Sequence, residues 1–107
     1  ARLLEARRES TERAFRTALA SALTMLESTR QQLAEAEERV RIEREIMKKV
    51  ELRFELAQAS EAEFLDSQDD LMVAESELEM VLTRLRMAEA QLLWTLGRKE
   101  VQQNDIQ

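Results

Sequence analysis

Large apolar residues recur every seven positions at Leu19, Leu26, Leu33, Val40, Met47 and Phe54. Each is followed three residues on by Ala22, Thr29, Ala36, Glu43, Val50 or Ala57, which apart from Glu43 are the smaller residues of their pairs. The same series runs again at Phe64, Leu71, Leu78, Leu85 and Leu92, followed by Ser67, Ala74, Val81, Ala88 and Thr95. A seven-residue repeat of this kind places one apolar stripe along an α-helix, so the chain reads as two long helices.

Folding the second run back antiparallel sets the large position of one helix against the small position of the other. The layers become Phe54 with Ser67, Ala57 with Phe64, Val50 with Leu71 and Met47 with Ala74 near the turn. Farther from it they become Leu33 with Ala88, Thr29 with Leu92 and Leu26 with Thr95. Large-against-small layers let two helices approach to ~8 Å, the close end of the usual range. The register puts the point of reversal between Ser60 and Glu61, where Ser60, Glu61, Ala62 and Glu63 read as a capping box. The predicted fold is therefore all-α, a long antiparallel two-helix coiled-coil hairpin forming one domain. Helix one covers about residues 3–56, the turn 57–60 and helix two about 61–97, with Gly97 as its terminus and a weakly ordered polar tail over 98–107.

Helix two has more apolar surface than one seam uses. A second seven-residue series, Val73, Met80, Met87, Trp94 and Val101, falls on a different face, widened by Leu82, Leu93 and Leu96. Helix one gains Ile42, Ile46, Leu52 and Leu56 near the turn. A two-helix hairpin cannot bury both stripes, so packing against further helices in an oligomer is expected, with Val73, Met80, Met87 and Trp94 as the interface.

Composition sharpens this picture by exclusion. The 107 residues contain no Pro, Cys, His or Tyr, and one Gly, while 36% are charged. Histidine general bases, thiol nucleophiles and thiolate metal sites are thereby excluded, no phosphate-cradling glycine loop exists, and no enzyme, metal or cofactor is expected. The formal charge of -6 argues against nucleic acid. No run of ~20 apolar residues suits a membrane span, and the absence of an initiating Met points to a processed or excised segment. Nine carboxylates and no Lys or Arg lie between Glu55 and Glu79, concentrating the acidity at the turn and the start of helix two. Glu63 and Asp66, three apart, share one face there; in a closed ring of copies such carboxylates would select cations, and in isolation they are a solvated helix start. Glu35 with Arg39, Glu37 with Arg41 and Glu45 with Lys49 are spaced as ordinary intrahelical pairs, which makes 39–49 a solvated face.

Arg53 to Leu71, RFELAQASEAEFLDSQDDL, resembles the tip of the second periplasmic helical hairpin in TolC-family outer-membrane efflux channels. The family pattern is an aromatic, two residues, Gly, a short polar turn, then Leu-Asp-Ala-Gln and a further Leu. Phe54, Ala57, Leu65, Asp66, Ser67, Gln68 and Leu71 occupy those positions. AFRTALASALTMLESTRQQLAEAEERV is similar to the family's helix descending to the tip, and AEAQLLWTLG to its returning helix.

The resemblance implies a trimeric conduit of a Gram-negative bacterium whose hairpins form an α-helical barrel across the periplasm. Its tip, here Phe54, Ala57, Gln58, Ala59 and Ser60, would dock onto the hairpins of a periplasmic adaptor, and Glu63 and Asp66 would match the acidic positions that narrow the pore. The family's tip Gly is Ala57 here and an Arg of some members is Ala59, so gate bonds of that Arg, or of a tyrosine in place of Phe54, have no counterpart. Two other readings fit parts of the chain. An adaptor hairpin would use Arg53, Leu56 and Ser60 at its tip, and a free-standing coiled coil would dimerise through the Val73 to Trp94 stripe into a four-helix bundle.

Overall fold

In a computed structural model the chain is all-α: α1 spans Arg2–Glu55 and α2 spans Glu61–Ile106, with no strand among the described residues. The structure describes the backbone of residues 2–106 and the side chains of residues 2–101. Two compact units divide it: a tip unit, Arg30–Arg84, and a base unit made of Ala1–Thr29 and Leu85–Gln107.

The tip unit is an antiparallel hairpin held by the predicted seam. Val40 and Val50 of α1 and Ser67, Ala74 and Val81 of α2 are buried, and Leu71 and Leu78 are half-buried. In the base unit Ala22, Leu26 and Thr29 on one side and Ala88 and Thr95 on the other are buried, with Leu85 and Leu92 half-buried. On α2 the alternation is strict: every small seam residue from Ser67 to Thr95 is buried and every large one from Phe64 to Leu92 is only half-buried. Small residues sit on the line between helices, while large ones straddle it and show their flanks to solvent. Ala74 and Ala88, at 1% and 2% exposed, are the most enclosed of the core.

The seam also tolerates hydroxyls where the helix itself accepts their proton. Thr29 and Thr95, buried in the base unit, donate to the carbonyls of Met25 at 2.7 Å and Gln91 at 2.9 Å. Ser67 in the tip unit does not; its buried Oγ has no hydrogen-bond partner.

Two expectations are corrected. Gly97 does not end α2, which runs on to Ile106. Its φ is not positive, so nothing distinguishes its backbone from the helix around it. A single glycine costs a helix interior ~1 kcal/mol, too little to stop one of 46 residues. The expected polar tail at 98–106 is accordingly helical. Arg98 and Lys99, within the expected tail, lie over aromatic rings: Arg98 4.8 Å from the Trp94 centroid and Lys99 4.5 Å from that of Phe15. Second, residues 39–49 are a largely exposed face, as expected, but the intrahelical partners expected there are partly replaced by partners across the seam. Arg39 reaches across the seam to Glu77 at 2.8 Å, and Arg44 to Glu75 at 3.6 Å. Arg41 does pair along its own helix, with Glu38 and with Glu45, the latter at 3.1 Å. The Arg41 guanidinium holds the Glu38 carboxyl below its ordinary value.

Candidate functional site

The tip is built by the end of α1 and the start of α2. α1 closes in a Schellman arrangement: the Gln58 amide donates to the Arg53 carbonyl at 2.6 Å and the Ala57 amide to the Phe54 carbonyl at 3.0 Å. Such a closure needs a left-handed residue at its hinge, and Ala57 supplies it with φ 58°. Glycine normally takes that conformation because a Cβ is strained there. Position 57 is thus the one place in the turn whose backbone favours glycine.

α2 begins at Glu61, as the capping box predicts, with the Glu63 amide donating to Ser60 Oγ at 3.1 Å. The other half of the box is replaced. The Glu63 carboxylate, expected to return to the Ser60 amide, accepts from Arg53 Nη1 at 2.7 Å. Arg53 Nη2 meanwhile donates to the Gln58 carbonyl at 3.1 Å. One guanidinium therefore ties the last turn of α1, the middle of the turn and the first turn of α2.

Beneath the turn Phe54 and Phe64 stack, ring centroids 4.9 Å apart and planes inclined by 26°. This differs from the expected layer of Ala57 on Phe64: Ala57 is exposed in its left-handed backbone, and Phe64 meets Phe54 instead. Of the predicted docking residues, Phe54, Ala57, Gln58 and Ser60 are exposed and Ala59 is half-buried. Leu52, Leu56 and Leu65 add exposed apolar surface around them.

The two carboxylates proposed for a pore are not equivalent. Glu63 is half-buried and bound to Arg53, while Asp66 is exposed, seven residues before Val73 and so at the head of the second apolar series. Glu63, Glu75 and Glu77 all serve ion pairs with α1, which accounts for part of the acidity of this stretch. Among the described residues no cluster of three or more acidic, His or Cys side chains could hold a metal ion. No helix there is long and apolar enough to cross a membrane.

The second series on α2 is exposed throughout. In the tip unit Val73 and Met80 are 51% and 55% exposed; in the base unit Met87 and Trp94 are 67% and 58% exposed. Leu65 and Met72 in the tip unit, and Leu93 in the base unit, broaden the face. The Trp94 indole borders a shallow groove of about 280 Å³ in the base unit, whose lining includes Ala14 and Phe15 of α1 and Arg98 of α2.

Arg53, placed at the tip by the adaptor reading, makes bonds that the sequence did not announce; its partners lie five and ten positions away, beyond intrahelical spacing. Comparison with protein-family models, with curated proteins and with solved structures finds no match to this chain.

Proposed function

We infer that the chain is a wall segment of a trimeric outer-membrane efflux or secretion channel, lying in the periplasm. Its hairpin would contribute to an α-helical barrel and present its tip to the hairpins of a periplasmic adaptor. The observation that carries this reading is the second apolar face of α2, exposed at Val73, Met80, Met87 and Trp94. A hairpin whose inner seam is already satisfied has no internal use for that face, whereas a helix in a barrel wall has neighbours on two sides. The tip supports the same reading. It is closed by its own capping bonds and by Arg53, so Phe54, Leu56 and Ala57 are held in place and exposed. The motif around Leu65, Asp66, Ser67 and Gln68 supplies the link to the family.

In this role Asp66 would stand at the tip end of the inter-hairpin face as an exposed carboxylate, which weakens its assignment to the pore, and Glu63 would act mainly through Arg53. The reading is tested in the full-length channel by replacing Ala57 or Ser60 with Trp. Efflux lost with trimer assembly intact is the expected result; efflux at the unmodified level would remove the tip from adaptor docking.

A further inference from the structure

Within the base unit the seam runs out before the helices do. Its large series ends at Leu19 on α1 and Leu92 on α2, and seven residues farther from the tip stand Glu12 and Lys99 instead. No bulky apolar pair fills that layer, and the groove of about 280 Å³ opens there, lined by the small Ala14 and Ala18 and by the rings of Phe15 and Trp94. Ligand sites run from ~300 to 1,000 Å³, so this one suits a molecule of one or two rings.

Charge is sorted around the groove. Arg98 is the one charged residue in its lining. Arg7, seven residues before Ala14 and eleven before Ala18, stands on their face of α1. The nearby carboxylates stand elsewhere: Glu9 and Glu12 are two residues from Thr11 and Ala14, and Glu89 and Glu100 are two residues from Gln91 and Arg98. At about 3.6 residues per turn, positions two apart point to nearly opposite sides of a helix. Among the described residues Arg7, Arg98 and Lys99 make no ion pair. In a chain of formal charge -6, an acid-free groove bordered by cations favours an anion.

The geometry of Arg98 narrows the class of anion. Its guanidinium carbon lies 4.8 Å from the Trp94 centroid. A guanidinium stacked on a ring uses its face there and keeps its N–H edge for a carboxylate, which it can grip with two parallel bonds. Lys99, 4.5 Å from the Phe15 centroid, adds a second positive charge beside the other ring. We propose that this groove binds a small planar aromatic carboxylate, its ring on the apolar lining of Ala14, Phe15 and Trp94 and its carboxylate on the edge of Arg98. An inorganic anion would use the cation and leave the rings bare, and an uncharged arene would do the reverse. The site lies wholly in the base unit and is independent of the channel reading.

NMR titration of the 107-residue chain with 2-naphthoate tests the site. Saturable shifts of the Trp94 indole N–H and of amides in 10–18 and 91–98 are expected. The uncharged 2-naphthamide should bind roughly fivefold more weakly or worse, and Arg98→Gln should weaken 2-naphthoate by a similar factor. Ala18→Leu fills the groove at nearly unchanged helix propensity, so binding should be lost while the circular dichroism stays helical. Shifts that do not saturate or that fall outside the base unit overturn the proposal. So does equal binding of the amide, or undiminished binding by Arg98→Gln. None of these outcomes bears on the tip, which the efflux measurement addresses separately.

Discussion

Arg53 holds Gln58 from both sides: its main-chain carbonyl accepts the Gln58 amide at 2.6 Å, and its guanidinium donates to the Gln58 carbonyl at 3.1 Å. With the same guanidinium bound to Glu63 at 2.7 Å, the turn is set by one side chain as well as by capping. Replacing Arg53 with Ala should cost about 1 kcal/mol in urea unfolding, part from the carbonyl bond and part from the ion pair. Both partners are nearly half exposed, so a double-mutant cycle with Glu63→Gln should give a coupling of only about 0.2–1 kcal/mol. A coupling near zero would make Arg53 a bystander to Glu63.

Ala57 occupies the left-handed hinge that the capping arrangement requires. Ala57→Gly should raise stability by about 1 kcal/mol, because the strained Cβ is removed where helix propensity no longer applies. A loss of stability by thermal unfolding would show that the hinge is not left-handed in solution.

Ser67 is buried in the seam without a partner for its hydroxyl. Ser67→Ala should stabilise the hairpin by about 1 kcal/mol, through the lost desolvation cost and the better helix propensity of Ala. Ala74→Leu, at the most enclosed seam position, should do the opposite by about 1–3 kcal/mol as the helices are pushed apart.

The Glu38 carboxyl is held low chiefly by its hydrogen bond to Arg41. A depressed folded value means that this pair contributes stability above the unfolded value and loses it as pH falls through the folded one. NMR titration should therefore place Glu38 below 4.5, its ordinary value, with Arg41→Gln returning it toward that value. An unchanged Glu38 in Arg41→Gln would contradict the assignment.

The seam was legible in the sequence because its period and its large-small alternation constrain each other, and the cap at Ser60 selects among the registers, seven residues apart, that satisfy both. Ser60 likewise announced the start of α2, since its hydroxyl cap is a local matter. What escaped depended on knowing the fold first. Glu35, Glu37 and Glu45 were natural partners for nearby cations at intrahelical spacing, yet Arg39 and Arg44 found Glu77 and Glu75 across the seam. Gly97 reads as a stop when only its propensity is weighed, and α2 continues because one unfavourable residue cannot outweigh the turns on either side. The left-handed conformation of Ala57 carried no local sequence signal, since Ala is an ordinary helix former, and it emerged only with the capping bonds.

Site-specific photocross-linking from position 59, with the hairpin in the full-length channel proposed above and a periplasmic adaptor co-expressed, tests the functional proposal most directly. A cross-link to the tip of the adaptor hairpin, abolished by Ala57→Trp while trimers persist, is the predicted result. Cross-links confined to other copies of this chain, with efflux unaffected by Ala57→Trp, would contradict it.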